Sequence, residues 1–241
     1  MTKLYTLITG ATSSIGMDIA HNRANTDNLL LHGRDLDALS KLANEISTTN
    51  NIKIWCFDFT DINELHNDFS RMLENENIKI NKVVHAAGHL KIMPFRAFKY
   101  NDTLDIFSIN VFSIIEIIRV LTKKAHKEHL ESVVMISAFF SKFGDKGNAI
   151  YSSSKGALNS IVKGLAAEFS HARFNVIILG AVRTKMTEHL FEANSDMKRF
   201  DRYILGTGNT NQVSVTVDFL LSENLWMTGQ EVFLDGGASI A

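Results

Sequence analysis

Short apolar runs alternate with longer amphipathic segments from one end of the chain to the other, and this rhythm constrains the fold more than any other feature. Residues 4–8, 29–31, 52–57, 82–85, 133–136, 176–179 and 232–234 read as seven buried strands. Helix-length segments lie between them, at 17–24, 35–47, 61–73, 103–127, 151–170 and 211–222. Strand and helix in strict alternation predict an α/β fold: a doubly wound, seven-stranded parallel sheet with helices on both faces. Ligands of such sheets bind outside the carboxyl ends of the strands, so the residues after each strand are the ones to inspect.

No repeat or linker is visible and the only proline is Pro94, so residues 1–241 are expected to form a single domain. The 25 Lys and Arg against 26 Asp and Glu leave a net charge of −1, which argues against nucleic acid or a membrane surface as partner. An anionic ligand then needs a local site. Cys56 is the only cysteine, too few for an intramolecular disulfide or a zinc site, and within Ile54-Trp55-Cys56-Phe57 it reads as a small buried hydrophobe. The apolar stretch near the start is too short for a signal peptide, and the hydrophobic segment 111–121 carries Glu116 and Arg119. A cytoplasmic, non-membrane location is expected. Segment 103–127 is apolar on more than one side, as in an internal helix or one that packs on a second subunit.

The first strand runs into Thr9-Gly10-Ala11-Thr12-Ser13-Ser14-Ile15-Gly16 and then a helix. A glycine turn that opens a helix aims backbone N–H groups and the helix dipole at a pyrophosphate. Farther on, Tyr151 and Lys155 stand four residues apart, on one face of a helix. A cation near a phenol favours phenolate, so Lys155 is expected to lower the Tyr151 pKa. The chain also contains Thr228-Gly229 followed by Asp235-Gly236-Gly237.

In this order and spacing, the motifs resemble those of the short-chain dehydrogenases/reductases, with likeness to 3-oxoacyl-ACP-reductase-like members. The resemblance spans Leu4 to Gly237. It implies a Rossmann-like fold and an oxidoreductase that moves a hydride between nicotinamide and a small-molecule carbonyl or alcohol substrate, most readily as a ketone reductase. It also implies a homodimer or homotetramer. Tyr151 would exchange the proton, and Lys155 would hold the nicotinamide ribose. Asn110 would kink its helix and support a proton-relay water.

By the same resemblance Gly10, Thr12, Ser13, Ser14, Ile15 and Gly16 form the cofactor turn, with Ser14 at the place of the usual middle glycine. Asp58 matches the adenine contact. Ala87 and Gly88 let the cofactor lie close, while Gly180, Val182 and Thr184 sit beside the nicotinamide. Gly33 stands where NAD-preferring relatives carry an acid, and Arg34 where NADP-preferring relatives carry a base, so NADP(H) is favoured over NAD(H). Residues 187–209 correspond to a variable substrate lid.

The family's catalytic serine falls on Ala138. Ser137 is the candidate replacement if the loop shifts register, and Ser141 is a second. The alternative function is a cofactor-binding sensor or partner subunit with weak or lost turnover. His85 reads as a satisfied core histidine, and Phe139, Phe140 and Phe143 as core or as an apolar substrate wall.

Overall fold

The computed structural model describes residues 3–46, 50–191, 200–223 and 225–241. Seven strands form one sheet: β1 Leu4–Thr9, β2 Asn28–Gly33, β3 Ile52–Cys56, β4 Lys79–His85, β5 Ser132–Ala138, β6 Arg173–Leu179 and β7 Glu231–Leu234. Every neighbouring pair is parallel, in the order β3-β2-β1-β4-β5-β6-β7. The helices among the described residues are α1 Ser14–Arg23, α2 Leu36–Glu45, α3 Ile62–Asn75, α4 Tyr100–Phe107, α5 Ser113–Leu121, α6 Ala149–Glu168 and α7 Thr210–Leu221. None is long and apolar enough to cross a membrane. Of the expected segments, Ser47 and residues 192–199 of the lid lie outside the described residues.

Strand side chains point alternately to opposite faces, and the inner strands are buried on both. Tyr5, Leu7, Leu30, Val133, Met135, Val176 and Ile178 enter one core with Leu65 and Phe69 of α3, Ile114 and Ile117 of α5 and Leu158 of α6. Ile8, Leu29, Leu31, Val134, Ile136 and Ile177 enter the other, with Ile19 of α1, Leu39 of α2 and Val213 of α7. This two-sided burial makes the strands read as unbroken apolar runs.

Two expectations need correction. The segment 103–127 is not one helix: α4 passes through a π-helical turn, Ser108–Phe112, into α5, and the chain after Leu121 is turns. A π turn leaves the apolar periodicity almost intact, so the pattern does not reveal it. Cys56 is exposed, because β3 is the edge of the sheet and its Ile54 and Cys56 look outward while Trp55 is buried.

Candidate active site

The strand order reverses between β1 and β4, and the chain ends splayed apart there open a cleft of about 480 Å³. Gly10 leaves β1 with φ +65°, and a Cβ there would lie 2.7 Å from the Ala87 Cα. Only glycine lets the two loops meet so closely. Ser13 caps α1, its hydroxyl oxygen accepting from the Gly16 N–H at 3.1 Å. A Cβ on Gly16 would lie 2.2 Å from the Gly10 carbonyl oxygen, so this residue packs the turn instead of lining the cleft. The Ser14 hydroxyl oxygen accepts from the Lys185 N–H at 3.2 Å, which keeps its own hydrogen free to donate.

Thr12, Ser13, Ser14, Ile15, Arg34 and Asp58 line one part of the cleft, and Ala87 and Gly88 its floor. Arg34 is exposed there and makes no ion pair among the described residues. A Cβ on Gly33 would meet the Thr12 hydroxyl at 3.3 Å, so an acid would fit only if that hydroxyl yielded. Asp58 accepts from the Thr60 N–H and hydroxyl, both at 2.9 Å, and so shapes its own loop. Gly180, Val182 and Thr184 come from the chain after β6. A side chain at Gly180 would strike the Asp235 Cα at 2.7 Å. The lining therefore gathers the sequence candidates, apart from Gly16 and Asn110.

Tyr151 and Lys155 face the cleft from α6, with the Lys155 Nζ 6.0 Å from the phenol ring centroid. Lys155 Nζ donates to the Ile136 carbonyl at 2.7 Å. The expected lowering of the phenol is not what this environment produces: burial pushes Tyr151 up to about 12 and Lys155 down to about 8. Withdrawing the phenol from solvent makes its ionisation costly, and this outweighs the pull of a cation at that distance. Tyr151 therefore keeps its proton at neutral pH, and Lys155 its charge below about pH 8.

Asn110 sits in the π turn, wholly buried, behind this pair. Its Oδ1 accepts from the His89 N–H at 2.7 Å, and its Nδ2 donates to the His89 carbonyl at 3.2 Å and to the Ser154 hydroxyl at 2.9 Å. It thus ties the loop after β4 to α6. Its own carbonyl is met by His85 Nε2 at 3.2 Å. Since a carbonyl can only accept, His85 carries its hydrogen on Nε2, and Nδ1 accepts from the Thr9 hydroxyl at 2.9 Å. His85 is thus a satisfied core histidine.

Burial holds both His85 and His32, which stacks on Phe59 at 3.9 Å, down at about 3. The folded chain refuses protons that the unfolded chain binds between about pH 6.5 and 3, so stability is full above that window and falls with pH inside it. At pH 5 each histidine is expected to remove about 2 kcal/mol. Urea midpoints at neutral and mildly acidic pH measure this, and equal midpoints would contradict it.

Ser137 requires a correction: its hydroxyl donates to the Lys155 carbonyl at 2.9 Å, and the residue is 2% exposed. The strand keeps its register with β6 through Ala138, so the loop has not shifted to turn Ser137 toward a substrate. Ser141 accepts from Asn159 Nδ2 at 2.8 Å and is not part of the cleft lining. The remaining wall is apolar, with aromatic rings beside Leu90, Ile92, Met186 and Leu190. Phe139 stacks on Phe143 at 4.4 Å and Phe191 on Phe200 at 4.5 Å, with Phe140 and Tyr203 beside them. The aromatic residues Phe191, Phe200 and Tyr203 of this lining escaped the sequence reading.

The family model described as Enoyl-(Acyl carrier protein) reductase matches residues 10–239. The 3-oxoacyl-[acyl-carrier-protein] reductase FabG of Buchnera aphidicola subsp. Baizongia pistaciae is 25% identical, over 98% of this chain and 97% of its own. Among solved structures, a short-chain dehydrogenase/reductase from Brucella melitensis superposes with a TM-score of 0.88 at 23% identity, covering both chains completely. A gluconate 5-dehydrogenase from Burkholderia cenocepacia, solved with NADP and tartrate, gives 0.89 at 21% identity over 100% of this chain and 97% of that one. With a glycine turn at the β1/β4 switch, a tyrosine and lysine one turn apart in the same cleft, and a family match over nearly its whole length, this chain belongs to the short-chain dehydrogenases/reductases, oxidoreductases that act on CH–OH or C=O groups with NAD(P).

Proposed function

We propose that the protein is an NADP(H)-preferring ketone reductase. The observation that carries this reading is one cleft holding the Tyr151 phenol, the Lys155 ammonium and the glycine turn, with Arg34 at its rim. The turn is compatible with a dinucleotide: backbone replaces side chain at Gly10, and α1 presents its N-terminus beside it. When bound, the nicotinamide supplies the hydride or takes it back.

The chain's own residues do the rest. Tyr151, protonated at neutral pH, donates to the carbonyl oxygen during reduction and receives the proton in the reverse direction. Lys155, fixed by the Ile136 carbonyl, holds positive charge beside the phenol and the ribose. Asn110 braces the loop after β4, and Val182 and Thr184 border the nicotinamide. Ser14 donates its free hydrogen to phosphate, Asp58 meets the adenine, and residues 187–209 act as the lid of this single domain. Ser137 positions α6 instead of touching substrate. The Phe140 and Tyr203 wall favours an apolar carbon framework.

Arg34, exposed at the rim, pairs with a 2′-phosphate, and Gly33 offers no acid to a ribose hydroxyl. NADPH is expected to bind at least several-fold more tightly than NADH, and Arg34→Ala to erase the difference. Calorimetry decides it; equal affinities in the unaltered protein would refute the preference.

The apolar groove between α5 and α6, lined by Ile115, Ile118, Ile161 and Leu165, is the proposed contact of a homodimer or homotetramer. A second reading, a cofactor-binding sensor with weak turnover, draws on Ala138 alone. NADPH oxidation against a panel of ketones tests the reductase reading.

A further inference from the structure

The segment after β6 is pinned to the glycine turn. The Thr187 hydroxyl donates to the Val182 carbonyl at 2.7 Å and accepts from the Thr184 N–H at 3.0 Å, so residues 182–187 close on themselves. From this tight turn the Lys185 N–H donates to the Ser14 hydroxyl at 3.2 Å. Lys185 is thereby held beside the N-terminus of α1, where it lines the cleft and stays exposed. Among the described residues its ammonium has no ion pair.

The glycine turn is short of positive charge. The N–H groups of Ser13, Gly16 and Met17 are spent on the turn's own oxygens, which leaves at most those of Thr12, Ser14 and Ile15 for an anion. A helix N-terminus adds about half a unit of positive charge, against the two negative charges of a pyrophosphate. Arg34, Lys155 and Lys185 are the lysines and arginines of the cleft lining. Arg34 follows β2, and Lys155 is tied to the Ile136 carbonyl, so Lys185 is the cation left beside the turn.

We infer that Lys185 clamps the cofactor pyrophosphate. Its flexible four-carbon stem carries the ammonium to the charge that the turn leaves uncompensated, and the Ser14 bond keeps the backbone within reach. A glycine at position 14 has no hydroxyl and could not hold the segment there. The clamp serves NADH and NADPH alike, because both carry the pyrophosphate, and it stands whether the protein is a reductase or a sensor.

The test is calorimetric titration of the full chain with NADPH and with NADH, without substrate. Lys185→Met is expected to weaken both by about tenfold and by the same factor, the loss of one charge-assisted contact. Their ratio should stay as in the unaltered protein, and the salt dependence of Kd should flatten. Lys185→Arg should keep most of the affinity. Thermal melting of the cofactor-free variants checks folding. Unchanged affinities in Lys185→Met would overturn the inference. So would a loss confined to NADPH, which would put the ammonium on the 2′-phosphate, and so would a failure of Lys185→Arg to restore binding. Equal affinities for the two cofactors, with the common loss present, would refute the NADP(H) preference and leave the clamp standing.

Discussion

Tyr151→Phe is expected to lower kcat for carbonyl reduction by about 10²–10⁴-fold, the range for removing a positioned proton donor. The effect should fall on kcat and not on cofactor affinity, because the phenol oxygen is lost while the ring and the rest of the cleft remain. NADPH binding is expected to stay within about threefold. Lys155→Ala should harm both quantities, since the ammonium lies beside the phenol and also anchors to the Ile136 carbonyl. The pH profile gives an independent check. Burial sets Tyr151 at about 12 and Lys155 at about 8, so reduction should be level through neutrality and decline above about pH 8 as the lysine loses its charge. Single-turnover measurements across that range decide it. Retention of most activity by Tyr151→Phe would refute the mechanism.

Ala138→Ser is the second large effect. Ala138 lines the cleft with Tyr151, and Ser137 beside it already spends its hydrogen on the Lys155 carbonyl. A hydroxyl added at 138 is therefore expected to reach the developing oxyanion and raise the rate of carbonyl reduction by up to about 10²-fold, the inverse of what losing such a donor costs. Ser137→Ala should change kcat little and cost about 1 kcal/mol of stability, the net worth of one hydrogen bond. If Ser137→Ala instead removed most activity and Ala138→Ser gained nothing, the assignment of these two residues would be reversed. If neither changed any rate above background, the sensor reading would take precedence.

The fold was legible because the inner strands are buried on both faces. Its apolar run is then nearly continuous, and no other arrangement hides seven such runs between amphipathic helices. The glycine turn and the Tyr151–Lys155 spacing were legible for a similar reason. Gly10 answers to backbone geometry, and two residues four apart on a helix share a face whatever packs around them.

Other features depend on neighbours distant in the chain. Cys56 faces outward because strand order leaves β3 at the edge, which no local apolar run can signal. The Ser137 hydroxyl turns to a carbonyl of α6, and the ionisation of Tyr151 follows from the desolvation that the assembled elements impose on it. The sequence by itself determined the sheet, its layers and the glycine turn after β1, because local geometry and hydrophobic period are properties of neighbouring residues. Only the tertiary structure decided which hydroxyls, amides and charges remain available for chemistry, because hydrogen-bond partners and desolvation come from elements that meet only when the sheet assembles.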